Sequence, residues 1–145
     1  MNDLKVAVLG GEEITKAALI KNITKNVKNV EFNGMRSGID IGYTISNGKR
    51  VYLFGASSKE RKRFFEEVLP AGIDLGIVIV DSSKGISKKD KDVIEEVKGQ
   101  KMPCMIFFND SKEKEFHSFG KNIVHGSADS SVFANRLLDY LTRTS

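Results

Sequence analysis

The dipeptide Asn47-Gly48 constrains the fold of this chain more than any other feature. It lies between two strand-like segments, and Asn-Gly accepts the positive φ values of a two-residue type I′ hairpin turn at low cost. Before it, Ile39, Ile41, Tyr43 and Ile45 recur at period two, which predicts a strand over 39–46 with one buried face. After it, Arg50 to Phe54 supply the antiparallel partner. Elsewhere the chain alternates strand-like runs with helical patterns. Segments 4–9, 74–80, 103–108 and 121–124 read as strands, and the nearly all-apolar 74–80 reads as a central strand covered on both faces. Ala18, Leu19, Ile20, Ile23 and Val27 form one helical stripe, and Phe64, Phe65, Val68 and Leu69 form another over 57–70. Val93, Ile94 and Val97 mark a helix over 87–98, and Val132, Phe133, Leu137, Leu138 and Leu141 one over 130–142. The glycine-bearing stretch 32–38 reads as a loop. Such alternation demands a mostly parallel sheet with helices on both faces. The expectation is therefore an α/β three-layer domain over 1–145, its six-stranded sheet holding five parallel strands and one antiparallel hairpin strand.

Composition narrows the function classes. A chain of 145 residues can bury a core without disulfides or metal, and 40% hydrophobic with 29% charged residues is an ordinary globular balance. No apolar run approaches the roughly 20 residues that span a bilayer, so no membrane span is expected. The first residues run straight into a strand pattern without a basic, cleavable leader. Cys104 stands alone in an apolar run and reads as a buried thiol, and the lack of a disulfide framework points to the cytoplasm. The net charge of +4 is spread over mixed-sign segments such as 58–63 and 87–92, which read as solvated helix faces. With no recognition motif and no aromatic stacking set, nucleic acid is not expected as a partner. His117 and His125 lack metal-ligand spacing and read as surface or loop residues.

The first strand-to-helix junction carries the clearest trace of chemistry. A phosphate-binding loop has the form G-x-x-x-x-G-K-[ST]: backbone N–H groups cradle the phosphates, the lysine reaches the terminal ones and the hydroxyl ligates magnesium. Here the segment is Gly10-Gly11-Glu12-Glu13-Ile14-Thr15-Lys16-Ala17. Gly10 and Lys16 stand at the right spacing. Thr15 replaces the second glycine, and Ala17 removes the magnesium-binding hydroxyl. Glu12 and Glu13 place two carboxylates where a polyphosphate would lie. Taken alone, this junction reads as a plain strand-helix turn with an exposed lysine.

A second stretch reads differently. Val51-Tyr52-Leu53-Phe54-Gly55-Ala56-Ser57-Ser58-Lys59-Glu60-Arg61, followed by Gly76-Ile77-Val78-Ile79-Val80-Asp81-Ser82-Ser83, resembles the prokaryotic small GTPases related to the gliding-motility protein MglA. Their pattern is L-F-G-T-P-G-Q-E-R-F, then a helix, then a strand ending V-D-S-S. The strand spacings agree from Leu4 to the last helix. The resemblance implies a Ras-like P-loop NTPase fold, which carries one antiparallel strand at the place of the hairpin. It implies nucleotide contacts at Gly10, Gly11, Thr15, Lys16, Ala17, Asn109, Ser127 and Ala128. It also shows what has changed. Glu60 and Arg61 match the family, but Ser58 replaces the glycine that contacts the γ-phosphate, and Lys59 the glutamine that orients water. Arg36, next to Ser37, holds the place of the threonine that reaches magnesium. In the base-recognition motif N-K-x-D, Asn109-Asp110-Ser111-Lys112 keeps the asparagine and puts a cation where guanine needs a carboxylate. The final Ser-Ala survives as Ser127-Ala128.

Three readings follow. One is a pseudo-GTPase that binds GTP or GDP weakly, without a magnesium requirement, and serves as a protein-interaction module. The second is an active GTP hydrolase with unusual motifs, and the third a receiver-like signalling domain using Glu12 and Glu13 as its acidic pocket. The losses at Ala17, Lys59 and Lys112 favour the first. Its partner surface is the switch-like face, 32–38 with 55–65, where Lys59, Arg61 and Lys62 form a basic rim beside Phe64 and Phe65, at least one of which belongs to the core. Asp81 ends a central strand at the ligand edge of such folds, or caps the loop through Ser82 and Ser83.

Overall fold

A computed structural model describes residues 2–32, 35–81, 85–113, 115–120 and 122–144, with the side chains of 30–32, 35–37 and 144 outside that description. Its centre is β1 (Asn2–Gly10), where Val6, Ala7, Val8 and Leu9 are fully buried. A strand apolar on both faces needs cover on both, and neighbours on both edges. The hairpin strand β4 (Lys49–Ala56) pairs with β1 in parallel on one edge, and β5 (Leu75–Asp81) on the other, with Val6 opposite both Leu53 and Leu75. The parallel series continues through β6 (Cys104–Asn109) to β8 (Ile123–Gly126).

The Asn47-Gly48 turn forms as its sequence requires, with φ of 49° and 74°. It joins β3 (Met35–Ser46) to β4 in antiparallel register, Ser46 opposite Lys49 and Tyr43 opposite Tyr52. The Asn47 amide also donates to Asp139 Oδ1 (3.0 Å) and Thr142 Oγ1 (2.8 Å), fixing the turn to the last helix.

Two further strands, β2 (Lys28–Phe32) and β7 (His117–Ser118), widen the sheet beyond the expected six, to eight among the described residues, in the order β2-β3-β4-β1-β5-β6-β8-β7. Lys28–Phe32 is the edge strand β2, antiparallel to β3, and β3 itself begins at Met35. The stretch expected as a loop over 32–38 is therefore strand up to Phe32 and from Met35, with 33–34 outside the described residues. The strand signal is hidden because the apolar stripe of the first helix continues in sequence to Val27. That helix, α1 (Glu13–Thr24), in fact stops when Lys25 enters the left-handed region (φ 64°) and donates its N–H to Lys21 O. Val27 still packs on the core, from the connector. The second addition, β7 (His117–Ser118), pairs with β8. His117 and His125 thus lie on strands, and His125 is half-buried with its ring stacked on Phe108 (4.7 Å). The strand expected over 121–124 runs Ile123–Gly126, with Lys121 outside the description.

Segment 57–70 is not one α-helix. A short turn α2 (Arg61–Arg63) widens into π geometry over Phe64–Val68 and closes as a 3₁₀ turn over Leu69–Ala71. Pro70 has no N–H and its ring conflicts with a regular preceding turn, so the helix cannot run on. The wider turn puts Phe64 fully in the core, with Phe65 partly buried against it. This segment and α3 (Lys88–Gly99) cover one sheet face, packing Phe64, Val93 and Val97 on Ala7, Leu9 and Val78. The helix α3 starts at a capping box, in which Ser87 Oγ accepts from the Asp90 N–H and the Asp90 carboxylate accepts from the Ser87 N–H. The other face carries α1 and α4 (Ser131–Thr144), whose Leu19, Ile20, Phe133, Leu137 and Leu141 meet Val6, Val8, Ile77 and Phe107. Val132, expected in the α4 stripe, is exposed. Among the described residues no helix is long and apolar enough to cross a membrane.

Packing on the α1/α4 face leaves no room at Gly126, where an added Cβ would fall within the buried Phe133 ring. Gly126→Ala is expected to cost ~1–3 kcal/mol in chemical denaturation. Gly99→Ala, in a helix with nothing near its added Cβ, should be neutral or stabilising by up to ~1 kcal/mol.

Candidate functional site

Parallel strands place their C-terminal ends along one edge. Register puts Gly10 opposite Ile79, Asp81 opposite Asn109, and Asn109 opposite Gly126. The sequence-separated motif positions are thereby gathered at the edge where open α/β sheets bind ligands. Two clefts open there. One, of about 470 Å³, is bordered by Gly10 to Glu13, Lys16, Ser58, Arg61 and Asp81. The other, of about 230 Å³, lies between Thr15, Asp81 and Asn109 to Ser111. They share Gly11, Glu12 and Asp81. Ala17 borders neither.

The Gly10–Ala17 turn is tied down by contacts within the chain. Gly10 and Gly11 adopt positive φ (73° and 64°), and a Cβ on either would come within 2.9 Å of Ile79. Their glycine character is therefore demanded by the left-handed backbone and by close contact with β5, with no ligand needed to explain it. Glu12 is extended, and the helix begins at Glu13, three residues before the lysine. The N–H groups of Thr15 and Lys16 both donate to Glu12 O at 3.1 Å. In a phosphate loop such amides point at the ligand; here they bond their own chain. The expected plain strand-helix turn is thus the observed backbone, but the lysine is not exposed. Lys16 is 4% exposed, and its ammonium donates to Gly10 O and to Glu13 Oε1, each at 3.1 Å.

Glu13 does not stop at the lysine. The same oxygen, Oε1, accepts the Ser58 N–H at 3.2 Å. Next to it, Ser57 donates its N–H to Gly38 O (2.9 Å), and the Glu60 N–H donates to Ser57 Oγ (3.3 Å). Gly38 has φ of 77°, and a Cβ there would press on Ser57 Oγ at 2.8 Å. The first helix, the end of the first switch-like segment and the start of the second are consequently joined without a ligand. In sequence, Glu13 reads as a source of repulsion toward a polyphosphate or as part of an acidic pocket, not as a partner of Lys16. Its spacing from Lys16, three residues on one helix face, is the signal that could have revealed a pair.

On the base side, Asn109 and Ser127-Ala128 meet directly. Asn109 Oδ1 accepts the Ala128 N–H at 2.8 Å, and Ala128 O accepts from the Asn22 amide at 2.7 Å. Ser127 and Ala128 are both buried, and Ser127 Oγ accepts the Asp129 N–H. Asp110 folds back to accept the Lys112 N–H (3.0 Å). This end of the site is tied by internal hydrogen bonds. Of the residues expected to meet a partner, Lys59 and Lys62 are exposed, while the Arg61 guanidinium is held by Glu96 at 2.6 Å. Arg63 beside them pairs with Glu67 and Glu60, and the Glu67 hydrogen bond is the main cause that raises its pKa. Cys104 is half-buried rather than buried, and burial pushes its thiol pKa up, which keeps it protonated and unreactive. Ser82 and Ser83, the expected cap partners of Asp81, lie outside the described residues. Among the described residues no cluster of His, Cys, Asp or Glu could hold a metal.

Three proteins frame this geometry. The uncharacterized protein MJ1339 of Methanocaldococcus jannaschii is 31% identical over 134 residues, covering 88% of this chain and 87% of that one. The chain belongs to the same family as that protein. GTPase Der of Chlamydia trachomatis is 24% identical over 119 residues, which are 73% of this chain and 24% of Der. The cytosolic domain of the T. maritima FeoB iron transporter in its apo form superposes with a TM-score of 0.77 at 15% identity, over 99% of this chain and 64% of that domain. The FeoB G domain alone matches at 0.69 and 16% identity, covering 98% of both chains, and the GDP and GMPPNP forms of the cytosolic domain match at 0.74 and 0.73. No protein-family model matches the chain. The fold is that of the G domains on which it superposes, and its antiparallel β3–β4 hairpin departs from the strict strand-helix alternation of the receiver-like alternative.

The Asn109–Ala128 hydrogen bond generates a prediction. Asn109→Ala leaves the buried Ala128 N–H without its acceptor and should cost ~1–3 kcal/mol in urea denaturation. A variant as stable as the unaltered protein would show that this link is not structural.

Proposed function

We propose that this chain, in a family shared with MJ1339 and with the fold of a G domain, is a pseudo-GTPase. In this reading it is a relative of the MglA-like GTPases that has kept their scaffold for protein contacts and lost nucleotide control. One observation carries the reading: the groups that would grip a polyphosphate are bonded to the protein itself. The Thr15 and Lys16 amides meet Glu12 O, and the Lys16 ammonium meets Glu13 and Gly10. A magnesium-nucleotide complex fits this donor set poorly. Ala17 offers no hydroxyl, and Glu13 presents a carboxylate to the lysine where the terminal phosphate of GTP would carry like charge. Lys112 supplies a donor where guanine needs an acceptor.

GTP binding is the competing reading, favoured by the match to the GDP and GMPPNP forms of the FeoB domain. Guanine nucleotides would have to displace Glu13 from Lys16 and free the Thr15 and Lys16 amides from Glu12 O. Binding weaker than micromolar, with no guanine preference and no magnesium dependence, is the expected result of calorimetric titration with GTP, GDP, ATP and ADP. Micromolar GTP affinity, about −8 kcal/mol, that collapses on chelation would overturn the reading.

The partner surface in this proposal is the switch-like face, held in place by protein contacts rather than by nucleotide. Among its described side chains the exposed cations are Lys59 and Lys62, since Arg61 is engaged by Glu96. They suit an acidic protein surface, acting more on encounter than on affinity. Lys59→Glu combined with Lys62→Glu should abolish capture of that partner in pull-downs while leaving the melting temperature within a few degrees. Unchanged capture, or capture that requires GTP, would count against the proposal.

A further inference from the structure

The Glu13 carboxylate stands in a place that a G-domain scaffold normally leaves to its ligand, and its contacts point to a role beyond blocking that ligand. The lysine of a phosphate loop reaches the terminal phosphates. The switch segments of GTPases are held by contacts to the γ-phosphate and released when it is lost. In this chain one oxygen, Glu13 Oε1, makes both kinds of contact: it accepts from Lys16 Nζ at 3.1 Å and from the Ser58 N–H at 3.2 Å. We propose that Glu13 is a built-in substitute for a terminal phosphate, latching the segment that begins at Ser58 in a permanently engaged arrangement. The proposal rests on the pseudo-GTPase reading and adds to it the means by which the interaction face is held.

Three features support a latch over an incidental ion pair. Lys16 is buried to 4% exposure, so its ammonium needs an anionic or carbonyl acceptor whichever ligand is present. Its two acceptors are Gly10 O and the Glu13 carboxylate, and only the second also reaches across to the switch-like segment. The bond to Ser58 is continued by Ser57, whose N–H donates to Gly38 O, so fixing Ser58 also fixes the end of the first switch-like segment. Finally, Glu13 is in the first turn of α1, where a carboxylate is favoured by the unpaired N–H groups of the helix start. The position that weakens a phosphate site therefore stabilises the carboxylate that replaces it.

Removing the carboxylate should leave an oxyanion-sized vacancy facing an ammonium and an amide N–H. The defining experiment is backbone hydrogen exchange over residues 57–63 in the unaltered protein, Glu13→Ala and Glu13→Gln, each with and without inorganic phosphate. Glu13 is on the surface of the helix start (side chain 58% exposed), so neither variant removes core packing. In Glu13→Ala the exchange of this segment should rise on the order of tenfold, the scale of one lost charge-assisted hydrogen bond. Millimolar phosphate should reverse most of that rise, and should leave the unaltered protein unchanged. Glu13→Gln keeps an acceptor of the same reach without the charge, and should fall between the two.

Equal exchange in Glu13→Ala and the unaltered protein would overturn the latch. Faster exchange that phosphate does not reverse would overturn the phosphate-substitute role. The function reading fails separately, through tight magnesium-dependent GTP binding to the unaltered protein, whatever the variants do.

Discussion

A lysine ammonium with almost no access to water must be met by acceptors, and at Lys16 that requirement organises the functional edge of the molecule. Desolvating an unpaired ammonium costs far more than a domain's marginal stability tolerates. In a nucleotide-binding loop the ligand would meet much of that need. Here Gly10 O and Glu13 meet it, and the chain around them follows. The helix starts early, the loop amides turn inward onto Glu12 O, and the Glu13 carboxylate is left in position to reach Ser58. Motif losses that look independent in the sequence thus belong to one local rearrangement. In the proposed reading, with Glu13 compensating Lys16, a cradle glycine at 15 and a hydroxyl at 17 would have no polyphosphate to serve.

The scaffold was legible to a large degree, because its signals are local and strong. The Asn47-Gly48 turn specified the hairpin and its register, and the apolar run of β5 specified a strand buried on both faces. What escaped was governed by competition between neighbours. Strand β2 was masked because Val27 continues the helical stripe, although the left-handed Lys25 had already ended the helix. The π-turn at Phe64–Val68 follows from how Pro70 and the burial of Phe64 are reconciled, and helical periodicity does not carry that information.

The candidate site was legible in the position of its strands, but not in the hydrogen bonds its residues make. Gly10, Lys16, Asn109, Ser127 and Ala128 were expected to face a nucleotide, and parallel register does bring their strands to one edge. Their atoms, however, are bonded to each other and to the backbone. Asn109 meets Ala128, Ser127 meets Asp129, and Gly10 accepts from Lys16. A motif residue can persist because it closes a sheet edge as well as because it binds, and sequence does not separate the two. Glu13 shows the converse. Its residue type argued against phosphate, and only the geometry reveals that one of its oxygens accepts from both Lys16 Nζ and the Ser58 N–H.

This division between scaffold and site bears on how an interaction module can arise from a G domain. In a GTPase, the switch segments are ordered only while the terminal phosphate holds them, so partner binding reports the nucleotide. The proposed internal carboxylate would remove that dependence without altering the sheet, because Glu13 and Ser58 lie just past the ends of β1 and β4 and not within the core. In the proposed reading, the free energy that a bound nucleotide would contribute to ordering is replaced by a smaller contribution from a partly exposed ion pair and the hydrogen bonds donated by the Ser57 and Ser58 N–H groups. Such a face is fixed enough to be recognised yet weakly held. A partner seated on Lys59 and Lys62 would then stabilise the same arrangement that Glu13 favours, each contact lowering the ordering cost borne by the other.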